Sequence, residues 1–469
     1  MPQVYSYHLS PKALLLAFTE SALMALSLLA GVNLRFFDDR AAFEVYTLLP
    51  DFALQAAVLV VTFQVCFYYN DLYDLTRTRS QNELLLGIGE ALGAGCLFLG
   101  LLYFLVPGLL IGRGVFVIAM VLTAASVLTV RLTLDAAWRM SGLSQRIVIV
   151  GTGPLAHTVR QEIRRREDLH SEVLGFVASR NQIDDQERLP LGDALLGSGN
   201  ELFRIAEQAQ VDRVIIAVED WHGGWPADAL VKLRAQGVEV EDAHTALAAL
   251  TGRVWLEGLR PGWFLSCEGF RRSQAQRAIK RSADLVLSVV GLLLSAPLML
   301  AVAAAIRLDS KGDILYRQRR VGFRGRPFEM LKFRSMRADA ELESGPRWAC
   351  PDDPRITRAG KYLRRFRLDE LPQFINALRG EMSVVGPRPE RPEMVDLLRK
   401  RIPYYDERHA ERPGITGWAQ VQYGYGASLD DALRKLEFDL FYLKNLSPLL
   451  DLLILLETGR IVLFGRGGR

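Results

Sequence analysis

The chain has 469 residues, half of them apolar, with a mean hydropathy of +0.12 and a net charge of +4. That length is too great for one ordinary domain, and so small a positive excess gives no support to a nucleic-acid binder. Four scattered cysteines, Cys66, Cys96, Cys267 and Cys350, show neither CxxC nor Cys/His spacing, which argues against a zinc site or a disulfide framework.

In chain order, four apolar runs come first: Lys12 to Leu34, Leu48 to Tyr69, Leu84 to Val106 and Gly114 to Trp138. Each is close to the ~20 residues that cross a hydrocarbon core of ~30 Å. The first run is too long for a signal-peptide core, and no clear cleavage site follows it. Internal charges are few: Glu20, Glu90, Arg131 and Asp135. Residues 1–140 therefore read as a four-helix transmembrane bundle. Arg35 and Arg40 in one loop balance Arg77 and Arg79 in the next. Arg139, Arg146 and the large polar region after them favour a cytoplasmic C-terminal bulk.

From residue 141 to 250 the texture is soluble α/β. "RIVIVGTGPLA" is a β-branched run, a tight turn at Gly151 and Gly153, and the start of a helix, as in a Rossmann-like βαβ unit. Further strands are predicted at Val173 to Val177, 212–218 and 237–243. The second strand runs into Ser179, Arg180 and Asn181 instead of an acid that would hold a ribose, so a regulatory or scaffolding domain is favoured over an NAD site.

A connecting segment, 251–275, leads to a fifth apolar run at Ala283 to Ile306. Basic residues flank both ends of it, and Pro297 interrupts it past the middle. Positive flanks place both ends on one side, and a proline breaks a helix, so the run reads as a re-entrant hairpin. The nearby Ser295 hydroxyl is expected to replace part of the lost hydrogen bonding. An ordinary crossing with a proline kink is the alternative. The terminal run "LSPLLDLLILLETGRIVLF" reads as an interfacial amphipathic helix, with a buried soluble helix as its alternative.

Between Asp313 and Arg412 there are 23 Lys and Arg against 16 Asp and Glu, which points to an anionic partner. The strings "YRQRRVG", "FEMLKFRSM", "RLDELPQ", "MSVVGPRPE" and "RPGITGWAQV" supply cations and glycine turns: Lys332 with Arg334, Arg364 with Arg367, Arg388 between Pro387 and Pro389, and Gly386, Gly414 and Gly417. Arginine forks suit phosphate oxygens, and flanking prolines fix backbone direction. No phosphate-binding GxxxxGK[ST] loop is present, so phosphoryl chemistry here must run on carboxylates, metal and arginine. Two readings of Asp369-Glu370 stand open. Asp369 is an N-cap with Glu370 in the first turn of a helix over LPQFINAL, or the pair places a nucleophile and a metal beside a phosphate.

Through these five motifs, in their order and spacing, the chain from about Arg277 onward resembles the bacterial polyprenyl-phosphate glycosyl-1-phosphate transferases. As a whole it is similar to that family's long form, a multidomain membrane protein with four N-terminal membrane helices, a Rossmann-like middle domain and a mostly α-helical transferase domain, 276–469, carrying a re-entrant helix. The resemblance implies transfer of a sugar 1-phosphate from a UDP-sugar to undecaprenyl phosphate with release of UMP, beginning exopolysaccharide or O-antigen assembly. It implies Asp369 as the nucleophile, Glu370 as a Mg²⁺ ligand, Arg364 and Arg388 as phosphate contacts beside Pro387, and Lys332 and Arg334 at the active-site rim. It also implies a multi-pass protein of the bacterial inner membrane, touching its lipids, with the catalytic domain on the cytoplasmic face. Ser295 and Pro297 fall at the membrane hairpin, but Ala296 stands where the family often has serine. A homodimer is expected, and no nucleic-acid partner. Two other readings are a membrane-tethered NAD-dependent nucleotide-sugar epimerase or dehydratase, motivated by GTGPLA, and a non-enzymatic nucleotide sensor. The resemblance leaves the sugar open.

Overall fold

The computed structural model describes residues 11–48, 51–73, 81–140, 145–166, 171–178, 195–218, 226–267, 269–270, 272–337, 355–424, 426 and 428–464. The chain forms two compact units, one running to Ala246 and the other starting at Leu247.

The first unit opens with helices α1 (Pro11–Arg35), α2 (Arg40–Leu48), α3 (Phe52–Tyr69), α4 (Gln81–Leu105) and α5 (Arg113–Met140). Four of these are long and apolar enough to cross a bilayer, and the short α2 lies in a stretch expected to be loop. α1 packs on α5 and α3, and α3 on α4. Charge inside this apolar assembly is paired. Arg131 donates to Glu20 at 2.6 Å and to the Leu72 carbonyl at 2.8 Å, while Tyr73 donates to Glu20 Oε2 and also lies 2.6 Å from Gln64 Oε1. Pairing and most of the available hydrogen bonds let these ionised groups persist away from water, although Arg131 Nη2 has no hydrogen-bond partner.

A parallel sheet follows. Its elements are β1 (Gln145–Val150), α6 (Pro154–Arg164), β2 (Ser171–Ala178), β3 (Leu195–Ser198), α7 (Leu202–Gln208), β4 (Arg213–Ile216), α8 (Ala227–Ala235), β5 (Glu239–Asp242) and α9 (Ala243–Thr251), with strand order β3-β2-β1-β4-β5. The all-parallel order with β1 central is the doubly wound pattern predicted for this region, enlarged by β3. Gly151 is required: its φ is 120°, and a Cβ there would stand 2.4 Å from the Ala217 carbonyl oxygen. The chain after β2, where Ser179, Arg180 and Asn181 sit, lies outside the described residues.

The second unit begins before the expected boundary, because residues 252–264 pack into it and do more than connect. Trp418, fully buried, donates its indole N–H to the Gly252 carbonyl at 2.7 Å. Val254 N donates to the Glu437 carbonyl, and Leu256 N and Arg253 to its carboxylate. Then come α10 (Pro261–Ser266), α11 (Gln274–Asp309), the antiparallel hairpin β6 (Leu315–Val321) and β7 (Pro327–Phe333), α12 (Arg358–Arg365), α13 (Gln373–Arg379), β8 (Ser383–Val385), α14 (Pro392–Leu398), β9 (Gly414–Thr416), α15 (Trp418–Gln422), α16 (Leu429–Asn445) and α17 (Pro448–Phe464).

α11 is longer than the apolar run that announces it. Ser273 and Gln276 form a reciprocal cap, so the helix starts within the basic segment and remains helical through Pro297 to Asp309. One face is held by the domain along its length. Lys280 bonds the Val385 carbonyl and Asp451, and Arg281 the Ala377 and Leu378 carbonyls. Asp284 accepts from Ser383 Oγ and Val384 N. Val302 and Ile306 pack with Phe333 and Leu363. The opposite face exposes Val286, Val290, Leu293, Leu294 and Leu300. Ser295 does not serve the carbonyl that Pro297 leaves without a donor. Its hydroxyl bonds Gly291 O at 2.6 Å, the carbonyl one turn before itself.

The terminal helix also departs from expectation. α17 buries Leu450, Leu453 and Ile454, ties Asp451 to Lys280 and Tyr442, and sets Thr458 2.7 Å from Thr416. One face of α17 packs on the domain, with Asp451 and Thr458 turned to buried partners, while Leu452 and Val462 stay exposed.

Candidate active site

The adjacent carboxylates fall on a single 3₁₀ turn, Leu368–Glu370, between α12 and α13. Neither caps a helix. Pro372 occupies the position before α13, without a side-chain cap, so the capping reading of Asp369 is overturned. The turn is entered through Arg367, a non-glycine residue at φ 54°, and such a conformation costs ~1–3 kcal/mol unless its surroundings impose it. The Arg367 amide bonds Arg364 O, and its carbonyl takes Glu370 N.

β7 brings the first cation. Asn376 of α13, fully buried, accepts from Leu331 N and donates to the Glu329 carbonyl, which stitches β7 to the helix that follows the dyad. Lys332 thereby lies 3.8 Å from Glu370 and is itself half-buried, inside the site instead of at its rim. Arg334 is a correction. β7 ends at Phe333, so the alternation that would keep Lys332 and Arg334 on one face stops between them. The Arg334 guanidinium is buried and closes the end of α11, donating to the Lys311 and Ser310 carbonyls and to Ser310 Oγ.

The second cation comes from the segment after β8. Arg388 donates to Glu370 Oε1 at 2.6 Å and keeps 38% of its side chain exposed, enough to meet a ligand as well. Its strand-like segment, Pro387-Arg388-Pro389-Glu390, has lost two N–H donors to proline and is held by its carbonyls. Gly414 N donates to Pro387 O, Arg408 to Arg388 O, Arg320 to Pro389 O, and Val321 N to Glu390 O. Gly386, Gly414 and Gly417, expected as turns, instead permit close backbone approach. A Cβ on Gly386 would stand 2.4 Å from Arg412 O, and one on Gly417 would stand 2.1 Å from Gly386 O.

These surroundings divide the two carboxylates. Burial, and then the neighbouring Glu370, push the Asp369 pKa up to about 6 against Lys332, Arg364 and Arg388. Burial pushes Glu370 the same way, but Arg388 and Lys332 outweigh it and hold Glu370 down to about 2. Burial also lowers the Lys332 ammonium to about 8 despite Glu370. Neighbouring groups driven apart in this way mark a site with distinct chemical roles. Asp369, Glu370, Lys332 and Arg388 are thus brought together, Arg364 acts on Asp369 through its charge, and Arg334 stands apart. Sequence reasoning named Arg367 only as a cation beside Arg364, and missed Arg320, Arg408 and Asp439. The readable signal for Asp439 was a carboxylate inside the apolar string "EFDLFYL".

Residues 275–465 match the bacterial sugar transferase family, and residues 69–220 match a CoA-binding domain family. A UDP-N-acetylgalactosamine-undecaprenyl-phosphate N-acetylgalactosaminephosphotransferase of Aeromonas hydrophila is 46% identical over 306 residues, 63% of this chain and 71% of that protein. The chain belongs to the bacterial polyprenyl-phosphate glycosyl-1-phosphate transferases. This transferase is also similar to an undecaprenyl-phosphate glucose phosphotransferase of Komagataeibacter xylinus, at 36% over 333 residues. A UDP-glucose:undecaprenyl-phosphate glucose-1-phosphate transferase of Xanthomonas campestris pv. campestris is 33% identical over 329. The matches cover 69% and 68% of this chain, and 60% and 66% of those two proteins. The transferase is an enzyme and, with five long apolar helices among the described residues, a membrane protein, which sets aside the non-enzymatic sensor.

Proposed function

We propose that the transferase moves a hexose 1-phosphate from a UDP-sugar to undecaprenyl phosphate, releasing UMP, and so initiates exopolysaccharide or O-antigen synthesis at the cytoplasmic face of the bacterial inner membrane. The observation that carries this reading is the dyad itself: Asp369 beside a Glu370 whose charge is clamped by Arg388 and Lys332.

The Asp369 carboxylate attacks the sugar-bearing phosphorus of the donor. A P–O bond to Asp369 forms as the bond to the bridging oxygen breaks, and the electron pair leaves with UMP. An oxygen of undecaprenyl phosphate then attacks the same phosphorus and returns the Asp369 carboxylate. Two displacements let UMP depart before the lipid phosphate arrives. An anion attacking an anion is slow unless the phosphate charge is neutralised, the role this reading gives to Arg388, Arg364 and Lys332.

Mg²⁺ commonly takes one or two carboxylates plus substrate phosphates and keeps its other waters, so the two adjacent carboxylates fit it. Among the described residues there is no cluster of three or more potential protein ligands, which suits an ion completed by substrate. Glu370, with Asp369, would hold it, and it would supply further neutralisation of the donor phosphates.

A re-entrant placement of α11 is supported by its lengthwise attachment. A polar domain fixed from Lys280 to Ile306 prevents the helix from being sheathed in lipid, while the exposed apolar face can enter one leaflet. Arg307, Lys311, Arg317 and Arg319 near its end suit a cytoplasmic headgroup layer.

UMP release from purified protein, with undecaprenyl phosphate and a panel holding UDP-N-acetylgalactosamine and UDP-glucose, tests the reading. Asp369→Asn should lower turnover by more than ~10³-fold and abolish the phosphosugar adduct seen by intact-mass spectrometry. Near-parent turnover by Asp369→Asn would remove the nucleophile assignment.

A further inference from the structure

The site leaves one buried ion pair without a role. Arg408 is 6% exposed and Asp439, on α16, is 1% exposed, with Arg408 Nη2 2.7 Å from Asp439 Oδ2. Neither bonds the dyad. The same guanidinium donates to the Tyr405 hydroxyl at 2.7 Å and to the Arg388 carbonyl at 2.9 Å. Burying two charges costs several kcal/mol per ion before pairing returns some of it, and well-packed apolar residues often serve stability as well. The pair therefore calls for a geometric reason.

That reason lies in Arg388. Prolines on both sides remove the neighbouring N–H donors and restrict its backbone. Its carbonyl is then the handle by which the Arg388–Pro389 peptide can be oriented, and that orientation sets where the guanidinium is launched toward Glu370. A guanidinium hydrogen-bonded to a phenol and a carbonyl while ion-paired with a carboxylate has little freedom left, which a lysine cannot reproduce.

We propose that Arg408, held by Asp439 and Tyr405, is a positioning residue that fixes the Arg388 peptide and so places the Arg388 guanidinium on Glu370. The inference rests on reading the dyad as the reaction centre. Arg408 touches no reacting atom; it acts through Arg388.

The test reads UMP release by the full-length enzyme in two variants. Arg408→Met with Asp439→Leu removes charge and donor together, and kcat is expected to fall about 30- to 100-fold with donor KM within twofold of the parent. Arg408→Lys keeps the charge beside Asp439 but not the fork, and about a tenfold loss of kcat at unchanged KM is expected. Parent kcat in either variant, or a loss carried by donor KM at parent kcat, overturns the proposal. Should the apolar pair fail to fold, Arg408→Lys decides alone. Failure of the dyad reading shows separately, as turnover by Asp369→Asn.

Discussion

Asp284→Ala removes the carboxylate that fastens the N-terminal third of α11 to β8. Oδ1 accepts from Ser383 Oγ at 2.7 Å and from Val384 N at 3.0 Å, in a place where Asp284 is 3% exposed. The serine has a fallback, since its hydroxyl also lies 2.9 Å from the Val385 carbonyl. Val384 N does not, and an orphaned buried amide costs ~1–3 kcal/mol, to which the lost charged bond from Ser383 adds ~1.5–3 kcal/mol. Part of this is returned, because Asp284 Oδ2 is buried without a hydrogen-bond partner and its desolvation is relieved. A net loss of ~2–4 kcal/mol follows, or ~5–15 °C in the melting temperature of a unit this size. Asp284→Asn keeps an acceptor for Val384 N and should cost no more than ~1 kcal/mol. Thermal unfolding of the detergent-solubilised full chain reads both variants. An alanine variant melting within ~2 °C of the parent, or an asparagine variant as damaged as the alanine one, would refute the account of how the helix is fastened.

Gly386→Ala should disrupt the β8–β9 pairing, because its new methyl meets backbone at Arg412 and Gly414; at least a tenfold loss of UMP release, with faster trypsin cleavage, is expected. His409 is held neutral, its pKa lowered to about 4 by burial first and then by Arg408, against Asp406. Its unfolded form binds the proton more readily, so stability is present above pH ~6.5 and is lost as pH falls from there toward ~4, by up to ~3 kcal/mol. His409→Gln should flatten that part of a melting-temperature profile, and an unchanged slope would refute the assignment. Glu20→Gln strands the buried Arg131 and should destabilise the N-terminal helices by ~3–5 kcal/mol, whereas Glu20→Leu with Arg131→Met should recover most of it, as read by melting in detergent.

How legible the molecule was in its sequence differs by element. Long apolar runs announce α1, α3, α4 and α5 because a membrane span needs composition and little else. The GTG turn announced β1 and α6, since close approach at Gly151 tolerates no side chain. β3 was missed: four residues, none fully buried, give no periodicity to read. At the site, Lys332, Asp369, Glu370 and Arg388 were readable as charges in unusual strings, but Arg334 looked identical to Lys332. What separates them is the end of β7, set by tertiary packing around Ile314 and Ser310. The grip on the Pro387 to Glu390 carbonyls was unreadable for the same reason, as its donors come from β6, the turn after α14, and β9.

The strap at residues 252–264 bears on where this protein can be divided. A fragment beginning near residue 275, as the apolar pattern invites, would keep every member of the dyad site yet strip the acceptor from the buried Trp418 indole and three donors from Glu437, which is 2% exposed. It would also remove the buried side chains of Val254, Leu256 and Trp263. A cut ahead of Leu247 leaves those surfaces closed. The minimal catalytic piece is therefore defined by a stretch that contributes no chemistry, and a weakly active short fragment would report a missing lining before it reported a missing partner domain.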